Sequence, residues 1–547
     1  MALRIPKHSS AGLFKDGSKF AQGVDEAVLK NITACRDLNK ITLSSFGPNG
    51  RNKIVINHID KLFVTNDAAT MVRELEVVHP AAKLLAMASA HQESELGDAT
   101  NFVTMLAAEL LEKAEELLKM GLHPSEISQG YELASKKALE ILEELSTSKV
   151  NDIRTSPLVA EAIRTAVGSK QYGYEDFLAK LAWEACSLIM PQNASTFNVD
   201  SVRVVKVMGG SLLDSTVVKG MVFGREAEGN VHKAEAAKIA IFSCPLDIAQ
   251  TETKGTVLIH NAQEMLDFTK GEETQVEAVF KELAEAGVKV LVTGAIVGEL
   301  ALHYINRYEM MVVKCPSKFD LRRLCRVVGA TALARLGVPM AEEMGFCDFV
   351  ESIEIGSDRV VIFRQEKEKS KTATILLRGA TQNFLDDVER ALDDGVNTVK
   401  ALTKDGRLLA GAGACEMQLA KRIFSYGEKT PGLNQHAIKK FSEALEIVPR
   451  TLGETSGMSS FEILSKIRAA HYSSDSNCFV GVDVDSEQAA TIDAVEKGIL
   501  DVFSVKYNAI ELATHAALTV LLVDQIIMSK PAGGPKVPKN NPNWDDE

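Results

Sequence analysis

The spacing of apolar residues divides the chain into three parts of different character. From about residue 20 to 147, Leu and Ala recur every three or four positions, as in NFVTMLAAELLEKAEELLKMGL, which predicts amphipathic helices. From about residue 218 to 370, short apolar runs such as VKVLVTGAIV and MMVVKC alternate with helical stretches such as DLRRLCRVVGATAL, which predicts an α/β region. After about residue 405 the helical spacing returns, and a long helix is predicted over 505–529.

Composition places the chain among folded globular proteins. Hydrophobic residues make up 46% and charged residues 25% of the 547 positions, close to the averages of soluble domains. A chain of this length has room for about two to four domains. The tail 530–547 is rich in Pro, Gly and Asn, so we expect it to be disordered. No repeat of fixed period is visible, which argues against a solenoid.

Charge and cysteine usage exclude several classes of protein. The net charge of −13 opposes general binding to a nucleic-acid backbone. The eight cysteines are scattered without C-x-x-C spacing, which is typical of reduced thiols in a cytosolic protein. The N-terminus has no apolar signal core, and the most apolar stretch, ELATHAALTVLLVDQIIM, contains acidic residues and is interpreted as a buried helix. We expect a cytoplasmic protein without a direct nucleic-acid or membrane partner.

Two glycine-containing segments have residue types that suit phosphate. SSFGPNGRNK, residues 44–53, predicts a tight turn whose N–H groups could face an anion, although an ordinary surface turn explains it as well. GDAT, residues 97–100, lies just before a long amphipathic helix, where a helix N-terminus favours anions and Asp98 could bind Mg²⁺. The alternative is that Asp98 or Thr100 only caps the helix.

Three further segments carry candidate residues whose spacing leaves their role open. VTNDAATMVREL places Asp67 between a β-branched run and a helix-like stretch. Gly411 and Gly413 lie at a second helix entrance, where small residues admit either a flat ligand or close packing. In ERALDDGVNTV, Asp393 and Asp394 are by default a solvated helix face.

Several long motifs in a fixed order give the chain a family resemblance. They include FGPNGRNK, VTNDAATMVRELEVVHPAAKLL, GDATNFV, GSKQYG, GAGACEMQLAK and KKFSEALEIVPRTLGETSG. Over nearly its whole length the chain resembles the group II chaperonins, particularly subunits of the eukaryotic cytosolic chaperonin TRiC/CCT. The resemblance implies a multidomain α and α/β chaperonin fold with these parts: a mostly helical equatorial ATP-binding domain (1–147 and 405–529), a hinge-like intermediate domain (148–217 and 371–404), and an α/β apical substrate-binding domain with a lid protrusion (218–370).

The resemblance also implies an ATPase site. Asp67 and Asp394 match the aspartates that flank the γ-phosphate and orient or deprotonate the attacking water, and Asp98 matches the Mg²⁺ ligand. Lys170 matches a lysine that reads the γ-phosphate; without the motif, an exposed helix-end lysine would be the simpler interpretation. The residues implied to surround ATP are Phe46, Gly47, Ala99, Thr100, Asn101, Phe102, Ser169, Lys170, Gly411, Asp501 and Lys506.

The chain departs from the family pattern at several positions around the phosphates. The usual glycines are replaced by Ala68, Ala99 and Ala412, a threonine by Asn101 and a lysine by Asn49. A methyl group at Ala99 would crowd the backbone near phosphate, and Asn49 removes a positive charge. Both carboxylates and the metal ligand are retained, so we expect ATP binding with slow or weakly coupled hydrolysis.

Substrate contacts are expected in the apical part. Leu300, Tyr304 and Arg307 fall at helical spacing in the helix that the family turns toward the ring cavity, although Leu300 and Tyr304 also fit a protein core. TETKGTVLIHNAQEMLDFTKGEE, residues 251–273, matches the position of the lid protrusion.

The resemblance therefore predicts a subunit of an ATP-driven, hetero-oligomeric cytosolic chaperonin that folds non-native proteins such as actin and tubulin. Its implied partners are paralogous subunits in two stacked eight-membered rings, together with co-chaperones. One alternative is an ATP-binding scaffold subunit of the same ring with little or no hydrolysis. A small phosphotransferase acting on a metabolite is another, and the order of the motifs argues against it.

Overall fold

The computed structural model describes residues 19–22, 27–154, 156–247, 261–356, 358–366, 372–473, 478–486 and 490–528. The predicted disordered tail 530–547 lies outside the described residues, as does the first part of the predicted protrusion, up to residue 260.

The described residues up to 144 form mainly helices, as the apolar spacing predicts. The elements are β1 (Lys19–Gln22), α1 (Leu29–Leu43), β2 (Lys53–Ile56), β3 (Leu62–Thr65), α2 (Ala68–Glu74), α3 (Pro80–Leu96), α4 (Thr100–Lys119) and α5 (Pro124–Glu144). Pro124 lies in the first turn of α5, where its missing N–H costs nothing, and His123 and Glu126 close a capping box there.

The middle of the chain alternates strands and helices. Its elements are β4 (Ser148–Lys149), α6 (Pro157–Gly168), α7 (Glu175–Ile189), β5 (Val202–Met208), β6 (Thr216–Phe223), β7 (Lys233–Phe242), α8 (Ala262–Glu285), β8 (Val288–Thr293), α9 (Glu299–Arg307), β9 (Met311–Lys314), α10 (Lys318–Val328), β10 (Ala332–Leu333), β11 (Gly345–Ile355), β12 (Asp358–Arg364), β13 (Ala373–Gly379) and α11 (Gln382–Lys404). A mixed sheet joins strands β5 to β13 in the order β5-β13-β6-β12-β11-β7-β8-β9, with β10 beside β7, whereas β4 pairs with β14 of the last part. β7, β8 and β9 run parallel, as do β13 and β5.

The last part returns to helices. Its elements are β14 (Arg407–Ala410), α12 (Ala414–Lys429), α13 (Asn434–Leu445), α14 (Ile447–Thr455), α15 (Ser460–Ser473), β15 (Val480–Val482), β16 (Thr491–Asp493), β17 (Leu500–Val502), α16 (Phe503–Leu521) and β18 (Gln525–Met528).

Two helix predictions are wrong at their C-terminal ends. The helix predicted over 505–529 ends at Leu521, because the chain then extends into β18 and pairs with β1. The helical prediction over 320–333 ends at Val328, because Gly329 takes the left-handed conformation and Ala332 and Leu333 pair with β7.

One large hydrophobic cluster joins the two ends of the chain. It contains buried residues between 28 and 145 and others between 409 and 521. Helix α5 packs closely on α13, where the ring of Tyr131 meets that of Phe441 edge-on at 5.8 Å. A second cluster unites α6, α7, α11 and β13, and two others cover the faces of the β7–β8–β9 sheet. The second cluster also includes residues of β14 and β17, so it adjoins the terminal helical part.

Two composition-based expectations can be compared with the described residues. All eight cysteines lie within them and form no disulfide, in agreement with the predicted reduced thiols. Among the helices of the described ranges, none combines the length and the apolar character that a membrane crossing requires.

The contact between α5 and α13 makes a testable packing prediction. A Cβ added at Gly130 would lie 2.4 Å from Ala437 Cβ, so Gly130→Ala must push the two helices apart. We expect it to lower the free energy of unfolding by about 1–2 kcal/mol despite the better helix propensity of alanine. The matched control is Gly271→Ala in α8, where no described atom lies within 4 Å of the added Cβ. The control should be neutral or slightly stabilising in thermal unfolding; equal effects at both positions would contradict the close contact.

Candidate active site

Two adjoining cavities share Lys170. The first cavity has a volume of about 420 Å³ and lies among α4, α6, the 45–48 turn and the segment 482–506. It brings together eleven of the predicted residues: Phe46, Gly47, Asp98, Ala99, Thr100, Asn101, Phe102, Ser169, Lys170, Asp501 and Lys506. The second cavity, of about 500 Å³, is lined by Asp67, Lys170 and Asp394 together with charged residues of α11 and the 199–204 segment. The two predicted catalytic aspartates therefore line the second cavity, and Lys170 lines both cavities.

Asp67 is fixed at the N-terminus of α2. It is the N-cap residue, and its Oδ2 accepts hydrogen bonds from the Thr70 N–H at 2.9 Å and the Thr70 hydroxyl at 2.7 Å. Its Oδ1 accepts from the Thr100 hydroxyl at 2.9 Å. Asp is a preferred N-cap residue, so local chemistry explains why the extended run ends and the helix begins here. The same capping geometry holds the carboxylate in one orientation.

A buried ion cluster forms around Lys170. Its Nζ lies 2.5 Å from Asp394 Oδ2 and 3.3 Å from Asp67 Oδ1. The side chains of Lys170, Asp67 and Asp394 are only 11%, 5% and 7% exposed. The interpretations of Lys170 as an exposed lysine and of Asp394 as part of a solvated helix face are therefore wrong. Asp393, the next residue toward the N-terminus of α11, is exposed.

Burial and charge give the two aspartates opposite pKa shifts. Burial by itself would raise the pKa of Asp67, but the Lys170 ammonium and the hydrogen bonds from Thr70 and Thr100 lower it below its ordinary range. Burial, reinforced by the charges of Asp98 and Asp67, raises the pKa of Asp394 well above its ordinary value despite Lys170. Burial would lower the pKa of Lys170, but Asp394 and Asp67 raise it, so the ammonium stays protonated. Asp67 is thus the permanently ionised carboxylate and Asp394 the stronger base.

Asp98 lies between α3 and α4 on the wall of the first cavity. Gly97 ends α3 with φ 78°, and the Ala99 N–H donates to Asp98 Oδ1 at 2.6 Å. Burial raises the pKa of Asp98, and the nearby ammonium groups of Lys170 and Lys506 oppose this rise. The expectation that Asp98 or Thr100 caps α4 is wrong, because Ala99 is the N-cap residue and no side chain caps the helix. The N-terminus of α4 can therefore offer its N–H groups to an anion.

Two of the alanines that replace family glycines keep a glycine-like backbone. Ala99 has φ 64° and Ala412 has φ 54°, both in the left-handed region. That conformation costs an alanine roughly 1–2 kcal/mol. The turn geometry is therefore maintained against local strain, which indicates that the surrounding structure dictates it.

The side chain of Asn101 is engaged with the backbone of neighbouring segments. Its Nδ2 donates to the carbonyl oxygens of Ser45 and Asn66, both at 3.2 Å, and its Oδ1 accepts from the Ala68 N–H at 2.6 Å. Both amide hydrogens are therefore engaged with the backbone. Asn101 lines the first cavity, but its side chain connects the surrounding loops.

The far wall of the first cavity contains a second buried cation. Lys506 forms ion pairs with Glu416 and, at 3.3 Å, with Asp501, and its Nζ lies 4.6 Å from the centre of the Phe102 ring. Glu416 is 1% exposed and was missed from the sequence, although its place in the first turn of α12 beside Gly413 was a usable signal. Buried charged side chains such as Glu416 and Lys506 occur in protein interiors when each has a partner of opposite charge.

Gly411 is placed differently from the prediction. The neighbouring Ala412 and Gly413 line the first cavity, whereas Gly411 lies behind the wall. A Cβ at Gly411 would lie 3.1 Å from the Ile499 carbonyl oxygen and 3.5 Å from Asp501 Cγ. Its small size therefore permits close packing behind Asp501, which was the alternative interpretation.

Sequence reasoning also missed a contact across the first cavity. The Tyr172 hydroxyl donates to Asp485, and both residues line this cavity. The two lie 313 positions apart in the chain, so no local pattern could have paired them.

Of the three substrate-contact residues predicted in helix α9, only one is exposed. Tyr304 is 8% exposed and belongs to a hydrophobic cluster, and the half-buried Leu300 packs against the same cluster. The surface role is therefore wrong for Tyr304, because its ring completes the core beneath α9. Arg307 is exposed and pairs with Glu277 at 2.9 Å.

Separate substitution of the two aspartates should change stability in opposite directions. At pH 7, Asp67→Asn removes an ionised group held by an ammonium and hydrogen bonds, so we expect a loss of roughly 1–3 kcal/mol in the free energy of unfolding. Asp394→Asn removes a carboxylate whose charged form burial disfavours, so it should raise the melting temperature.

The pH dependence of these effects follows from the direction of each shift. Because folding lowers the pKa of Asp67, its contribution is present above the ordinary value of 3.8 and is lost as the pH falls further. Because folding raises the pKa of Asp394, stability is lost as the pH rises above 3.8, so the gain from Asp394→Asn should grow toward neutral pH. Melting temperatures across this range measure both effects, and the same sign for both variants at pH 7 would contradict the assignment.

Comparison with known proteins identifies the family of the chain. Residues 38–531 match the model of the TCP-1/cpn60 chaperonin family. The chain is 58% identical to a Schizosaccharomyces pombe protein named probable T-complex protein 1 subunit theta, and the match covers 100% of both chains. It is 54% identical to T-complex protein 1 subunit theta of Homo sapiens, again over 100% of both chains. These findings confirm the resemblance and the predicted fold class, and the chain belongs to the TCP-1/cpn60 chaperonin family.

Proposed function

We propose that this chain is an ATP-hydrolysing subunit of a hetero-oligomeric chaperonin ring that encloses and folds non-native proteins. The observation that carries the proposal is the position of Lys170, which pairs with two buried aspartates and also lines the first cavity. Membership of the chaperonin family supports it, and the names of the relatives contain the word subunit.

The first cavity suits a nucleoside triphosphate. Phosphates would lie against the 45–48 turn and the N-terminus of α4, which offers uncapped N–H groups. Lys170 borders both cavities, so its ammonium could contact a terminal phosphate while remaining close to Asp67 and Asp394. The nucleoside would then lie toward Asp501 and Lys506.

Mg²⁺ fits the donors that this site provides. Within the described residues, no group of three His, Cys, Asp or Glu side chains could hold a metal by itself. Mg²⁺ typically takes one or two carboxylates and completes its coordination with substrate phosphates and water. Asp98 is a half-buried carboxylate on the cavity wall and would supply that single ligand. When bound, the ion would neutralise phosphate charge.

The two aspartates would divide the work of hydrolysis. Phosphoryl transfer depends mainly on positioning and on charge stabilisation, so the protein must hold a water in line with the terminal phosphate. Asp394, with its raised pKa, is suited to accept a proton from that water. Asp67, with its lowered pKa and fixed orientation, is suited to orient it.

The division into domains stays a prediction that the hydrophobic clusters support. Residues from both chain ends share the largest cluster, as expected for an equatorial domain made of 1–147 and 405–529. The second cluster fits an intermediate domain of 148–217 and 371–404, since it includes α6, α7 and α11. The remaining sheet and helices fit an apical domain of 218–370, where Arg307 is the surviving surface candidate for client contact.

A scaffold subunit that binds ATP without turnover is the second candidate. It is favoured by the left-handed alanines and by Asn101, whose side-chain donors are engaged with the backbone. Single-turnover hydrolysis in an assembled ring distinguishes the two, because retention of Asp67 and Asp394 predicts measurable product.

Substitution of the site aspartates should separate catalysis from binding. We expect Asp394→Asn to slow hydrolysis by this subunit about a hundredfold, the scale of a lost general base, and to leave the Kd for ATP within about threefold. Asp98→Ala should instead weaken binding of Mg-ATP, because it removes the metal ligand. The measurements are single-turnover hydrolysis and nucleotide titration in assembled rings. If both variants lost binding equally, this division of roles would be wrong.

The assembly state is the second test of the proposal. A ring is closed by heterologous contacts, so an isolated subunit should associate openly or aggregate, and co-expression with paralogous subunits should give one large particle. Native mass spectrometry of the chain alone and with paralogues measures this. A stable monomer with full ATPase activity would overturn the ring-subunit proposal.

A further inference from the structure

The side-chain amide of Asn101 connects three segments that converge on the site. Asn101 lies in the first turn of α4. Its three hydrogen bonds reach Ser45, at the start of the loop after α1, and Asn66 and Ala68, which lie immediately before and after Asp67.

The two contacts beside Asp67 hold both peptide groups that flank it. The Asn66 carbonyl oxygen belongs to the peptide that links Asn66 to Asp67, and the Ala68 N–H belongs to the next peptide. Rotation of either peptide would break one of these hydrogen bonds, so the amide of Asn101 restrains both backbone dihedrals of Asp67, which are φ −77° and ψ 122°. The direction of the Asp67 side chain depends on those dihedrals.

Threonine could not make the same set of contacts. An asparagine side chain has two N–H donors and a carbonyl acceptor, whereas a threonine hydroxyl has one donor. Here Asn101 uses both donors and its acceptor at once. A threonine at this position would leave at least one of the two carbonyl oxygens without its partner.

We propose that Asn101 is a positioning residue for Asp67 and couples it to the phosphate-facing turn through Ser45. This inference rests on the proposed ATPase function. It assigns Asn101 an effect on turnover and little effect on nucleotide affinity, because none of its side-chain donors is left for a phosphate.

The test compares Asn101→Leu, which is similar in size and has no hydrogen-bonding group, with the parent chain in assembled rings. We expect kcat from this subunit to fall about tenfold to a hundredfold, the scale for a small misplacement of a reacting group, with Kd for ATP within about threefold. The acidic limb of the kcat–pH profile should stay in place, because the proposed base Asp394 sets it, so the loss should appear as a lower plateau. A tenfold weaker Kd with unchanged kcat, or no change in either, would overturn the proposal.

Two further variants distinguish a positioning role of Asn101 from a general loss of stability. Asn31→Leu replaces another buried asparagine, in α1, and should leave kcat and the pH profile unchanged. Asn101→Ser keeps one hydroxyl for one of the three partners and should give an intermediate kcat, so it remains informative if Asn101→Leu does not fold. A kcat for Asn101→Ser equal to that of the parent would also count against positioning.

Hydrogen exchange separates failure of this inference from failure of the proposed function. If Asp394→Asn did not lower hydrolysis, the ATPase proposal would fail. Exchange at the Ala68 amide reads the Asn101 contact without any turnover, and Asn101→Leu should accelerate it at least tenfold. Unchanged exchange there would overturn the positioning role whatever the hydrolysis rates.

Discussion

The buried ammonium of Lys170 is the interaction on which the arrangement of the site depends. Two carboxylates lie within 3.3 Å of it, and neither has enough exposure to be stabilised by water. Removing a charge from water costs several kcal/mol, so such a cluster persists only where each charge has a partner. Without Lys170, Asp67 and Asp394 would face each other as uncompensated like charges. Buried ion clusters add little to stability, and one at the border of two cavities is typical of a functional site.

Hydrogen bonds between neighbouring segments hold the residues of this cluster in place. Asn66 donates to the Lys170 carbonyl oxygen at 3.3 Å, and Gln171 donates to Asp387 of α11 at 2.5 Å. Arg390, also on α11, donates to the Val64 carbonyl oxygen at 3.0 Å. The segment after α6, helix α11 and strand β3 are therefore connected pairwise. A displacement of α11 would move Asp394 and disturb Asp67 through the same contacts, so the site responds to the relative position of the helical and α/β parts.

Local sequence patterns predicted the helices and strands of this fold better than the contacts between them. Apolar periodicity located α4 and α5, because a helix that buries one face must repeat every three or four residues. The same periodicity could not end α16 at Leu521, because the strand that follows exists only through its pairing with β1. Spacing alone left Lys170 as an exposed lysine, since Asp67 and Asp394 lie far away in sequence; the family motif supplied that role. Tyr304 shows the converse, because an aromatic residue on an amphipathic helix fits a binding surface or a core equally well until its neighbours are known.

Two asparagine side chains connect loops around the first cavity. Asn49 donates to Ser456 and to the Val484 carbonyl oxygen, and Asn101 connects three backbone segments. Each of them fixes a loop beside the region where we propose that the phosphates lie. A preorganised loop binds its ligand at a lower entropic cost, which can offset a lost contact. Rigid loops also oppose the rearrangements that often limit product release. We therefore expect this subunit to hold nucleotide well and to turn it over slowly, because the same hydrogen bonds that orient Asp67 restrain the loops that product release must move.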